Sequence, residues 1–181
     1  MTRVQLINPA DTTPNRQAVL EQVHKAFGST PNMFKAVANS PAALKSMWGF
    51  FGALGTGVLG AKLGEQIAVA IADHNRCEYC LAAHTALGMG AGASAQDMSA
   101  AQAGRSTDPK TAAALAFALK VVDKRAQLSN DDFATLRAAG YTDEHIVEIL
   151  AHVALNIFTN YVNVALDMPL DFPKVALNPV A

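Results

Sequence analysis

Apolar residues recur at helical spacing along almost the whole chain, and few stretches alternate as a strand does. Val19, Leu20, Val23 and Phe27 mark a first helical stripe. Ser40-Pro41 reads as an N-cap followed by proline at the first helical position, where the missing N–H does no harm. The helix it opens carries Leu44, Met47, Trp48 and Phe51 and fades in Gly52, Gly55, Gly57 and Gly60. A third helix is expected over roughly 62–74, with Leu63, Ile67, Val69, Ala70 and Ile71. The polar string Asp73-His74-Asn75-Arg76 ends it. Another helix should start near Cys77 and run to about Met89, closed by Gly88, Gly90 and Gly92, because glycine readily takes the positive φ of a helix end.

The C-terminal half continues in the same way. Ala112, Leu115, Ala116, Leu119 and Val122 form a stripe. Ser129 with Asp132 resembles a capping arrangement for the next helix. Thr142 caps a long last helix through Ile146, Ile149, Leu150, Val153, Ile157 and Tyr161, and Pro169 and Pro173 mark an extended tail. The segments at 92–97 and 140–145 echo each other weakly: each is a helix end, a spacer and a Ser/Thr cap. These elements predict an all-α fold.

Composition narrows the class. Of 181 residues 51% are hydrophobic and 16% charged, which favours a compact fold with apolar surface covered by other subunits. Fourteen basic against fifteen acidic residues leave a net charge of -1, without the basic footprint of a nucleic-acid binder. The start of the sequence lacks a signal-peptide-like apolar stretch. No apolar run reaches the roughly 18 residues of a membrane span; the region 47–63 is broken by five glycines and a lysine. A cytoplasmic location is therefore expected. In that reducing compartment, two cysteines three positions apart point to redox chemistry or metal rather than a structural disulfide.

Cys77-Glu78-Tyr79-Cys80 and His84 carry the candidate chemistry. At about 100° per residue, Cys77, Cys80 and His84 fall on one helical face. Cys80 and His84 are an i,i+4 pair within touching distance. Cys77 and Cys80 are close enough for a disulfide. A helix start near Cys77 favours negative charge, hence a thiolate, and the His84 imidazole could accept or relay the thiol proton. If the Asp73–Arg76 break reverses the chain, Glu65 folds back toward His84 and orients its ring.

Zinc is the rival reading. Cys77, Cys80 and His84 supply three ligands, and His74 or Glu65 could be a fourth, although the second ligand pair of structural zinc sites is missing. A c-type haem site requires His directly after the second Cys, where Leu81 stands. No βαβ pattern supports a thioredoxin-like fold. Trp48, Phe50 and Phe51 read as core or subunit interface, Arg76 as solvated or as a thiolate stabiliser, and His24 as a surface residue. His145, His152, Asn156, Asn160 and Asn163 share one side of the last helix and read as a polar outer stripe, with a pocket lining as the alternative.

The pattern Glu-x11-Cys-x2-Cys-x3-His, with its flanks Asn75-Arg76 and Leu81-Ala82-Ala83, resembles the signature of the alkyl hydroperoxidase D (AhpD)-like proteins of the carboxymuconolactone decarboxylase superfamily, in particular a peroxidase-related branch. Pro31-Asn32-Met33-Phe34, Ser40-Pro41, Asn160-Tyr161-Val162-Asn163 and Asp171-Phe172-Pro173 extend the likeness over roughly 31–173. The resemblance implies a single all-helical AhpD-like domain over 1–181, with extended segments at about 1–13 and 168–181, assembled as a homotrimer or hexamer. It implies an antioxidant, thiol-dependent hydroperoxide reductase. Cys80 would attack the peroxide, Cys77, the more exposed cysteine, would resolve the sulfenic acid, and His84 and Glu65 would relay protons. No metal, haem or flavin cofactor and no nucleic-acid or membrane partner is implied; an external dithiol is the reductant. Tyr79 stands where AhpD has a second histidine, and a phenol with pKa near 10 is a poorer base. A non-catalytic redox or interaction module and a lactone-decarboxylase-type enzyme are the alternatives.

Overall fold

A computed structural model of the chain describes residues 2–179; Met1, Val180 and Ala181, which fall in the two expected extended segments, lie outside the described residues. Among the described residues the fold is all-helical. In chain order the helices are α1 (Pro14–Phe27), α2 (Asn32–Val37), α3 (Pro41–Leu54), α4 (Gly60–His74), α5 (Glu78–Gly90), α6 (Ala95–Gln102), α7 (Pro109–Asp123), α8 (Asn130–Ala138) and α9 (Asp143–Leu166).

Helix α4 is the axis of the molecule, flanked by α5, α6, α7 and α9. Its residues from Gln66 to Asp73 are all buried, so one turn after another meets protein on every side. A helix apolar all round must be interior, and Ile67, Val69, Ala70 and Ile71 meet that condition. Leu81 of α5, Leu115 of α7 and Ile149 of α9, each fully buried, join the same core.

Helix α4 begins without a capping side chain of its own, since Leu59 occupies the N-cap. The Glu148 carboxylate of α9 fills that role, accepting from the Val58 N–H at 2.9 Å and the Leu59 N–H at 3.0 Å. Gly57 makes this approach feasible, because a Cβ there would overlap the Glu148 carboxylate. One turn on, a Cβ at Gly64 would stand 2.9 Å from Cε1 of His152, so the second glycine seats an α9 histidine against α4.

Several helix starts follow the sequence. Ser40 accepts from the Ala43 N–H, Ser94 and Asp97 form a capping box, and the Ser129 N–H and hydroxyl both donate to Asp132. The short helix α2 has no counterpart in the apolar periodicity; six residues are too few to display a helical repeat.

Helix α9 has a mean hydropathy of 1.4 over 18 residues, enough by length and composition alone to cross a membrane, contrary to the sequence expectation. A core helix meets the same test. Here Asn156, Thr159, Asn160 and Asn163 are buried against the protein, while Val147, Phe158, Tyr161 and Val164 face outward. The expected polar outer stripe is thus inverted: the asparagines point in and an apolar stripe points out.

After α9 the chain returns across the α4–α5 junction as a strap. The Asn178 N–H donates to Asp73 at 2.9 Å, Arg76 donates to the Asn178 carbonyl at 2.7 Å, and Lys174 pairs with Glu78 at 3.4 Å. Earlier in the strap, Asp171 accepts from the Asn32 N–H at 2.6 Å, which ties α2 to the C-terminal segment.

Candidate active site

The break between α4 and α5 shapes the site. Arg76 adopts φ 56°, a left-handed conformation that turns the chain after Asn75. Cys77 then becomes the N-cap of α5, its sulfur accepting the Cys80 N–H at 3.2 Å. Cys77 and Cys80 form a disulfide with Cα atoms 5.4 Å apart. Both residues are buried, Cys77 at 1% and Cys80 at 2% exposure. The two cysteines are thus buried alike, and residue exposure does not set Cys77 apart from Cys80. The two residues open in different directions. Cys80 lines an apolar cavity with Phe27, Met33, Phe34, Phe51, His84 and Phe172. Cys77 lines a shallow, more polar groove with Arg76, Glu78, Asp167 and Met168.

The chain reversal brings Glu65 and His84 together. His84 Nδ1 and Glu65 Oε2 are 2.7 Å apart, with side chains 12% and 23% exposed. Gly88 assists the approach: a Cβ there would meet the Met98 side chain and stand 3.3 Å from Glu65 Cβ. A carboxylate on Nδ1 fixes the ring and leaves Nε2 as the working nitrogen. His84 lines the cavity of Cys80 and also a second cavity, on the far side of the Glu65–His84 pair, with His152 and Asn156. Burial holds the His152 pKa below the ordinary imidazole value; Glu148 and Glu65 oppose that shift and His84 adds to it.

Tyr79, in the place of a possible second relay group, is locked. Its hydroxyl donates to Asp171 at 2.5 Å and accepts the Met33 N–H at 3.3 Å. Burial, followed by the hydrogen bond to Asp171 and its charge, pushes the phenol far above its ordinary pKa, against a smaller lowering by the Met33 N–H. The phenol therefore keeps its proton at neutral pH.

The remaining candidates separate clearly. His74 lies 3.3 Å from Asp123, away from the cysteines. Among the described residues no group of three or more His, Cys, Asp or Glu is arranged to hold a metal ion. Arg76 is engaged by the strap. His145 closes the start of α9, where its Nδ1 accepts the Thr142 N–H at 3.3 Å, and it does not line the cavity of Cys80. His24 stands 3.5 Å from the Thr30 hydroxyl. Trp48 packs edge-on to Phe34 at 5.9 Å, and Phe51 lies 6.0 Å from the same ring.

Sequence reasoning underweighted Asn163. It is 3% exposed, and its Nδ2 donates to Cys80 Sγ at 3.2 Å. The available signal was the 156, 160, 163 spacing of asparagines within an otherwise apolar helix. Buried polar groups in such a helix are expected to have a specific partner.

These features define a class: an all-helical protein with a CxxC disulfide at a helix start and a Glu–His pair, Cys80 and His84 opening on the same cavity. Residues 41–124 match the carboxymuconolactone decarboxylase family. The chain is similar in structure to an uncharacterized peroxidase-related protein from Silicibacter sp. TM1040, at 28% identity and TM-score 0.82, covering 93% of this chain and 91% of that one. It is also similar to an alkylhydroperoxidase AhpD core, an uncharacterized peroxidase-related protein from Ralstonia eutropha JMP134, at 26% identity and TM-score 0.86, covering 94% and 92%. The debrominase Bmp8 shares the fold at 23% identity and TM-score 0.80, over 94% and 93% of the two chains. No curated protein sequence matches. The chain thus carries a carboxymuconolactone decarboxylase family match over 41–124 and is similar over its length to AhpD-core, peroxidase-related proteins. Its relatives are enzymatic or peroxidase-related.

Proposed function

We propose that this chain is a thiol-dependent hydroperoxide reductase that cycles Cys77 and Cys80 between dithiol and disulfide. The observation that supports it best is that Cys80 and the carboxylate-oriented His84 line one apolar cavity. The Cys80 thiolate attacks the terminal oxygen of the hydroperoxide. An S–O bond forms, the O–O bond breaks, and the departing alkoxide takes a proton from His84. Glu65 steadies the ring through that change of charge. The Cys77 sulfur then attacks the sulfenic sulfur, the S–O bond breaks as the disulfide forms, and the departing hydroxide takes the Cys77 thiol proton and leaves as water. An external dithiol returns the two electrons.

The apolar lining of Phe27, Phe34, Phe51 and Phe172 suits a hydroperoxide with an organic substituent. No cofactor enters these steps. The protein acts as a single AhpD-like domain in the cytoplasm, without nucleic-acid or membrane partners. The outward apolar stripe of α9 supports a homo-oligomer, a trimer or hexamer.

Consumption of cumene hydroperoxide with dithiothreitol as reductant tests the reading. The native chain should turn over, and Cys80→Ser and Cys77→Ser should each fall to the uncatalysed background. Full turnover by Cys80→Ser would overturn the reading. A Cys77–Cys80 couple that oxidises and reduces reversibly without consuming peroxide would replace it with a non-catalytic redox module.

A further inference from the structure

Asn163 sits where neither its fold nor its exposure demands an amide. It lies on the buried face of α9, and its Nδ2 is 3.2 Å from Met33 Sδ as well as 3.2 Å from Cys80 Sγ. A thioether and a disulfide sulfur have no hydrogen to give, so the carboxamide must present its NH2 to both. That orientation leaves Asn163 Oδ1 buried without a partner. A leucine of the same size would fill the position without that penalty. Both sulfurs are also weak acceptors, so in the disulfide form the amide donor is poorly used.

The reduced site changes this balance. A thiolate is an anion, and an N–H donated to an anion makes a shorter and stronger bond than one donated to a neutral atom. The titratable groups lining the cavity are Tyr79, Cys80 and His84. Tyr79 is held neutral by burial and by its hydrogen bond to Asp171, and Glu65 faces His84 rather than the sulfur. From α2 the neighbour is the uncharged Met33, and from α9 it is Asn163 with Thr159, whose hydroxyl donates to the Leu155 carbonyl. Among the described residues no lysine or arginine lines this cavity. The amide is thus the fixed dipole that meets the charge on Cys80.

We propose that Asn163 is a catalytic residue, its Nδ2 amide holding the Cys80 sulfur as a thiolate both when it attacks and when it leaves. The second role belongs to reduction. The thiolate of the dithiol reductant attacks Cys77 Sγ, a sulfur–sulfur bond forms between them, and the Cys77–Cys80 bond breaks with its electron pair on Cys80. Asn163 receives that charge. The second thiol of the reductant then closes its own disulfide and releases Cys77. This role rests on the reductase reading for its place in a cycle, but its physical content does not depend on peroxide.

The test measures iodoacetamide alkylation of Cys80 as a function of pH in a Cys77→Ser background, with Asn163 intact and with Asn163→Leu or Asn163→Ala. Loss of a charge-assisted hydrogen bond should raise the alkylation midpoint by about one pH unit or more, and slow alkylation about tenfold at pH values below it. The plateau rates at high pH should agree, since access to the sulfur is unchanged. The smaller Asn163→Ala variant decides the matter if leucine does not fit. A midpoint unchanged in a folded variant, even with a lowered melting temperature, assigns Asn163 a structural role only and overturns the proposal. If the native chain consumes no hydroperoxide, the reductase reading falls while the midpoints still decide Asn163.

Discussion

Two side chains on α5 flank Cys80, and their surroundings assign them opposite parts. His84 meets a carboxylate at 2.7 Å, an arrangement that orients an imidazole and fixes which ring nitrogen faces the cavity. Tyr79 donates to Asp171 from a buried position, and every large influence on it favours the neutral phenol. Tyr79→Phe should therefore keep hydroperoxide turnover while destabilising the chain by about 1–3 kcal/mol, because the Met33 N–H and one bond to Asp171 lose their partner. Urea unfolding beside the turnover assay reads both effects. A folded Tyr79→Phe protein without turnover would put the phenol back in the proton path.

The helices divide the task of building the site. Helix α4 supplies Glu65, α5 supplies the cysteines and His84, and α9 supplies Asn163 together with the carboxylate that anchors the start of α4. Glu148→Ala removes the acceptor for two backbone N–H groups and should lower stability by about 1–2 kcal/mol, comparable to losing a helix cap. For a chain of this size that is a fall in melting temperature of about 2–4 °C per kcal/mol. An unchanged melting temperature would show that α4 starts without help.

Much of this framework is legible in the sequence because its signals are local. Ser40-Pro41, Ser129/Asp132 and the polar break before Cys77 each specify a helix boundary within a few residues. The Glu65–His84 contact follows once that break is read as a reversal. What the sequence does not reveal depends on tertiary partners. A period of 3.6 places Asn156, Asn160 and Asn163 on one side of α9 but carries no sign for which side is inward. Only the proximity of Cys80 to Asn163, and of Asn75 to Asn160 at 3.0 Å, shows why the polar side is buried. Likewise, Asn32 and Asp171 stand 139 positions apart in the chain, and no local pattern announces their meeting.

At the scale of the whole molecule, the outward face of α9 is the unusual surface. Val147 is 66% exposed, Tyr161 62%, Val164 50% and Phe158 41%, a stripe of large apolar side chains along the longest helix. Such a contiguous patch is characteristic of an interaction surface. Light scattering on the eluting protein should give three or six times the chain mass, and the double variant Phe158→Glu with Tyr161→Glu should shift it toward the single chain. A native protein that elutes as a monomer at all concentrations would remove the oligomer from the account.

The central claim concerns one sulfur atom and one event, oxidation of Cys80 by a hydroperoxide and capture of the product by Cys77. Reduced protein mixed with one equivalent of cumene hydroperoxide, followed by dimedone trapping and peptide mass spectrometry, observes that event directly. The native chain should yield the Cys77–Cys80 disulfide and one equivalent of alcohol, and Cys77→Ser should yield a dimedone adduct on Cys80. An adduct on Cys77 in the Cys80→Ser chain at the native rate of peroxide consumption would contradict the assignment, as would reduced thiols left intact beside unconsumed peroxide.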